Sequence, residues 1–111
     1  MDDPRIDRAV FSQLVESVGG DFVRELVATF ADESAVMQAE LRSAYARRDA
    51  DGFRRAAHSV KSNAQTFGAR TLADAARGLE LGGLPSDSTG IDAVEAELAQ
   101  SLARLVELAG D

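Results

Sequence analysis

A chain of 111 residues with 45% hydrophobic and 28% charged side chains has the make-up of one globular domain, 1–111, able to bury its own core. Its 19 acidic residues outweigh 12 basic ones, for a net charge of -7, which argues against binding nucleic acid or an anionic membrane surface. With no cysteine and a single histidine, His58, disulfides, thiolate zinc sites, cysteine nucleophiles and two-imidazole metal sites are excluded.

The start, Met1-Asp2-Asp3-Pro4, is acidic and lacks the basic-then-apolar order of a secretory signal. No apolar run is long enough to span a bilayer, so a cytoplasmic location is expected. Aromatic residues make up only 5%, and no stretch alternates with the period of two that a half-buried strand requires. The elements are all helices. The first is predicted from about Asp7 to Ser17, with Ile6, Val10, Leu14 and Val18 along one side, and Gly19-Gly20 ends it. Asp21 favours the N-terminus of a long second helix, which carries Phe22, Leu26, Phe30, Met37, Leu41 and Ala44 and stops near Arg47-Arg48.

Asp49 is a natural N-cap for the third helix. Phe53, Ala57, Val60, Ala64 and Phe67 give that helix the cleanest stripe in the chain, and Gly68 closes it. A fourth helix begins near Ala69 and carries Leu72, Ala75, Ala76 and Leu79. The stretch from Gly82 to Gly90 has the Gly, Pro and Ser content of a loop. Ile91, Val94, Leu98, Leu102, Leu105 and Leu108 mark a last helix. Four helices with buried stripes and short connections predict an antiparallel four-helix bundle, with the short first helix capping one end.

The third helix decides where the histidine points. At about 100° per residue, its apolar stripe clusters within about 40° of one direction and His58 lies roughly 140° away. His58 therefore faces water or a partner, beside Arg54, Arg55, Lys61, Ser62 and Gln65. Helix side chains lean toward the N-terminus, so Lys61 and Ser62 lean back toward the imidazole from one turn on. Lys61 brings an ammonium near the ring, and Ser62 is too small to cover it. This face offers too few ligands for a metal, the chain has no G-x-S-x-G nucleophile elbow, and no glycine precedes the lone lysine as a P-loop requires. Asp49 and Asp51 are spaced as a helix cap and a first-turn acid and do not fit a calcium loop. A neutral imidazole is a nucleophile near pH 7, and a neighbouring cation suits an anionic phosphoryl group.

The stretch from Ala56 to Glu80, AAHSVKSNAQTFGARTLADAARGLE, resembles the histidine-containing phosphotransfer domains of bacterial phosphorelays. That family's pattern runs H-x-L-K-G-S-x-x-x-x-G-A, followed by a helix ending in Leu-Glu. His58, Lys61, Gly68, Ala69, Leu72, Leu79 and Glu80 stand where the pattern wants them. GGDFVRELVATF, from Gly19 to Phe30, and Asp49 also look like the family. Among the positions that depart from it, Val60 replaces leucine conservatively and Ser62 stands where glycine is usual. A small residue there lets a partner approach closely, and serine meets that need with better helix propensity.

The resemblance implies a phosphocarrier that is neither a kinase nor a hydrolase. His58 would accept a phosphoryl group from a receiver-domain aspartyl phosphate and pass it to another receiver aspartate, with a hybrid histidine kinase upstream. Lys61 would help hold the phosphoryl oxygens, and Gln65 would hydrogen-bond the phosphoryl group or the docked partner. Ser62, Arg54 and Arg55 would take part in docking, and Gly68 and Ala69 would set where the active helix stops. No cofactor would be bound by this chain, since the receiver would supply the Mg²⁺. A monomer is expected. Two other readings fit the same residues: an adaptor that docks signalling partners without phosphorylation, and the phosphoryl-accepting domain of a chemotaxis-type kinase. A third, an enzyme such as a phosphohistidine phosphatase, would differ by turning over.

Overall fold

A computed structural model describes residues 4–110; the acidic Met1-Asp2-Asp3 start lies outside them. The described residues form α1 (Arg8–Val18), α2 (Gly20–Arg47), α3 (Ala50–Thr66), α4 (Arg70–Leu81) and α5 (Thr89–Gly110), with no strand among them. Helices α2 to α5 pack in cyclic order, each on the next and α5 back on α2, while α1 lies on α2 and α3. This is the expected four-helix bundle. At 1.5 Å per residue the 28 residues of α2 span about 42 Å, which accounts for the 41 Å long axis of the molecule. No described helix is long and apolar enough to cross a membrane.

The buried seam of α2 is Val23, Val27, Phe30, Ser34, Met37, Leu41 and Ala44. Its alternating steps of four and three give the heptad spacing of a bundle helix. The sequence prediction followed Phe22 and Leu26 into the first turns of this helix, but Phe22 is 48% exposed and Leu26 only partly buried. A serine in the seam hides the register. Ser34 is 6% exposed, and its hydroxyl donates to the Ala31 carbonyl at 2.7 Å. Helix α5 has the same disguise: Ser101, fully buried, takes the seam position expected of Leu102 and donates to Glu97 Oε2 at 2.9 Å. A short hydroxyl that satisfies itself within its own helix can occupy an apolar seam at little cost.

Arg42 clamps α2 to α5, with Nη2 2.5 Å from Asp92 and 2.6 Å from Glu95. Near the other end of the pair, Arg24 Nε donates to the Ala109 carbonyl at 3.0 Å, so α2 and α5 run antiparallel. Helix α1 buries Phe11, and Ile6 is buried just ahead of it, while Val18, expected on the same stripe, is 41% exposed.

Both corners that frame α3 are built by the same device. After α2, Asp49 N–H donates to the Ala44 carbonyl at 2.9 Å and Arg48 N–H to the Tyr45 carbonyl at 3.2 Å. After α3, Ala69 N–H donates to the Ala64 carbonyl at 2.8 Å and Gly68 N–H to the Gln65 carbonyl at 3.2 Å. Both are Schellman stops, which need a left-handed residue: Arg48 at φ 57° and Gly68 at φ 76°. Only the second needs glycine. A Cβ on Gly68 would stand 2.7 Å from the Asp7 carbonyl oxygen, because the entry to α1 is laid directly on this corner. Asp7 N–H donates to the Gly68 carbonyl at 2.7 Å, and the Asp7 carboxylate caps α1 through Ala9 N–H at 3.0 Å. The Phe30 and Phe67 rings stack at 5.3 Å beside the corner and join α2 to the end of α3.

Candidate functional site

Helix α3 begins at Asp49, whose side chain accepts from Gly52 N–H at 3.0 Å. It then buries Phe53, Ala56, Ala57, Val60 and Ala64. This packing fixes the rotation of the helix, so the opposite face, with His58 at its middle, is turned outward. The His58 side chain is 56% exposed.

One carboxylate organises this face. Glu80, in the last turn of α4, points across to α3 with its side chain only 11% exposed. One carboxylate oxygen, Oε2, is hydrogen-bonded to His58 Nδ1, and the other, Oε1, accepts from Lys61 Nζ at 2.5 Å. The Lys61 ammonium, foremost, and the His58 ring hold the Glu80 carboxyl below the usual carboxylate range, against the opposing effect of its burial. Glu80 is therefore an anion and accepts from both neighbours. In the neutral imidazole that places the proton on Nδ1 and leaves the lone pair on Nε2, the nitrogen turned away from α4. Ser62 Oγ stands 3.3 Å from Nε2.

Lys61, expected to lean on the imidazole, instead meets the carboxylate on the Nδ1 side of the ring, with its side chain 19% exposed. Ser62 leans back on His58 as expected. Gln65 is exposed farther along α3, beside a hollow that it lines with Asp7, Gly68 and Arg70. No hydrogen bond joins it to His58. Arg54 is exposed, 3.8 Å from the Asp51 carboxylate one turn earlier. Arg55 turns the other way and lines an open groove of about 550 Å³ between α2 and α3, with Val36, Glu40, Arg47 and Ser59. Among the described residues no cluster of His, Cys, Asp and Glu is able to hold a metal ion.

Sequence reasoning gave Glu80 no role beyond the Leu-Glu pair that ends α4. A signal was present. Glu80 follows the buried Ala76 by four residues, so it lies on the packed edge of α4, where a carboxylate needs a partner. Which partner depends on how α3 and α4 pair.

A family model described as Hpt domain matches residues 25–106. The crystal structure of histidine-containing phosphotransfer protein B (HptB) from Pseudomonas aeruginosa PAO1 superposes with a TM-score of 0.77 at 25% identity, covering 98% of this chain and 94% of that one. No curated protein sequence matches the chain.

Proposed function

Because this chain belongs to the Hpt domain family, whose work is histidine phosphotransfer in phosphorelays, we propose that His58 is the residue that carries the phosphoryl group, and that it does so on Nε2. The observation that supports this reading is the grip on the ring: Glu80 engages Nδ1, and Nε2 is left on the outer face beside the Ser62 hydroxyl.

Transfer then runs as an in-line displacement. The Nε2 lone pair attacks the phosphorus of an aspartyl phosphate on a docked receiver domain. The N–P bond forms as the acyl O–P bond breaks, and the receiver aspartate leaves as a carboxylate. Positive charge develops on the imidazole as its lone pair is used, and the Glu80 carboxylate is already placed on the Nδ1–H to stabilise it. The reverse step delivers the group to a second receiver. Lys61 is the foremost cause that holds the Glu80 carboxyl below its usual range, and it meets phosphoryl oxygens only by exchanging its bond to that carboxylate. The receiver would supply the Mg²⁺ that neutralises phosphoryl charge. Its docking surface is the outer face of α3, extending over Arg55 and the α2–α3 groove, where arginines complement an acidic partner site. The chain holds its phosphoryl group stoichiometrically and does not turn it over.

The test is intact-mass analysis after incubation with phosphoramidate and Mg²⁺, and separately with a phosphorylated receiver. One added phosphoryl group that is labile to acid, stable to base and absent from His58→Gln is the expected result. If neither donor labels the natural chain, the protein is an adaptor and the phosphocarrier reading fails.

A further inference from the structure

Three exposed hydroxyls in the helices of this protein bond to their own backbone, whereas the buried Ser101 turns to the Glu97 side chain. Ser17 Oγ donates to the Gln13 carbonyl at 2.9 Å, Ser59 Oγ to the Arg55 carbonyl at 3.2 Å and Thr66 Oγ1 to the Ser62 carbonyl at 3.1 Å. Each bonds back to the carbonyl four residues earlier, the common choice for a hydroxyl in a helix. For Ser62 that carbonyl would be the one of His58. Ser62 takes a different partner: its Oγ is directed at the His58 ring, 3.3 Å from Nε2. The direction of that bond follows from the other side of the ring. In the neutral imidazole with Nδ1–H given to Glu80, Nε2 has only a lone pair to offer, so the Ser62 hydroxyl is then the donor.

The same donor has a use after transfer. Once the N–P bond consumes the lone pair, the hydroxyl loses its acceptor on nitrogen. A phosphoryl oxygen, one bond beyond phosphorus, then falls within reach of an oxygen that already stands 3.3 Å from Nε2. Lys61 is less well placed for this, because its ammonium is engaged by Glu80 on the opposite side of the imidazole.

We infer that Ser62 is a positioning residue for the phosphohistidine: its hydroxyl caps Nε2 in the resting protein and turns to a phosphoryl oxygen in the loaded one, lengthening the life of the N–P bond. The inference rests on the phosphocarrier reading and adds to it a residue that controls how long the group is kept. It also gives the serine at this position a part beyond its small size.

Two measurements test it, and neither readout is taken with a partner docked. In the unphosphorylated protein, nitrogen-15 NMR of the imidazole should show the Nε2 resonance displaced in Ser62→Ala relative to the natural chain, with Nδ1 unmoved. In protein loaded from phosphoramidate or a phosphorylated receiver and then freed of donor, phosphohistidine should decay about 2- to 10-fold faster in Ser62→Ala and Ser62→Gly, the range expected for one hydrogen bond. Ser62→Thr, which keeps the hydroxyl, should restore the natural lifetime. A purely steric role predicts equal decay in all four proteins, and that result, or an unmoved Nε2 resonance, overturns the inference. Failure of the natural chain to be labelled by either donor would instead sink the phosphocarrier reading, whereas normal labelling with equal decay sinks only the role of Ser62.

Discussion

Toward α4, helix α3 presents Lys61 and His58 to a single carboxylate, and polar bonds close that flank. Toward α2, the same helix presents Ser59 and Arg55 to Val36 and Arg47 across an open groove of about 550 Å³. Deeper on this side Asn63 donates to the Ser59 carbonyl at 2.9 Å within its own helix. Val36, 57% exposed, stands at the edge of this groove. One flank therefore holds the histidine ring through Nδ1, and the other leaves room for a second molecule. A phosphocarrier needs both. Its nucleophile must be held by the protein, yet it must be reached by partners that the protein does not contain.

Substitutions that act on one flank alone should separate these two tasks. The largest effect is expected from Glu80→Ala, which removes the acceptor on Nδ1. Loss of the outer hydrogen bond that orients a metal-ligating imidazole costs about 10- to 100-fold, and by the same logic the rate of labelling by phosphoramidate should fall in that range. Helix content by circular dichroism should be unchanged. Glu80→Gln, which keeps a carbonyl to accept from Nδ1–H but has no charge, should fall between the two.

Lys61→Ala should act in the same direction and more weakly, slowing labelling several-fold without unfolding the bundle, since the Lys61 side chain lies outside the apolar core. It carries a pH signature as well. The Glu80 carboxyl is held below its usual value of 4.5, so its bonds are intact above that pH and are lost only as pH falls below it. Removing the ammonium, the largest cause of that depression, should move the loss to higher pH. A carbon-13 titration of the Glu80 carboxyl checks this; an unchanged midpoint in Lys61→Ala would mean that the ammonium does not govern the carboxylate.

On the open flank the smallest effect is expected, and it should be selective. Val36→Asp puts an acidic group where an acidic receiver surface is expected to approach. The ratio of receiver-dependent transfer to phosphoramidate labelling should drop by about 3- to 10-fold, through weaker docking. An equal change in both rates would show that α2 acts on the histidine itself and that the two flanks are not separate.

Much of this was legible in the chain. The stripe of α3, Phe53, Ala57, Val60, Ala64 and Phe67, is buried throughout, and so His58 had to point outward. The cap at Asp49 and the stop at Gly68 are local chemistry, written in residues a few positions apart. The seams of α2 and α5 were harder to read, because Ser34 and Ser101 stand where an apolar residue was expected and large neighbours such as Phe22 drew the stripe off by one position.

The sequence by itself determined the helices, the face on which His58 lies and the small serine beside it, since these follow from a 100° step and from side chains within one turn of each other. Only the tertiary structure decided that a carboxylate 22 residues away, on another helix, engages Nδ1 and takes the Lys61 ammonium with it. Helical periodicity says which side of α4 Glu80 occupies. The rotation and height of α4 against α3 come from how Leu72, Ala73 and Ala76 pack into the core, and that packing is what brings the Glu80 carboxylate to the histidine.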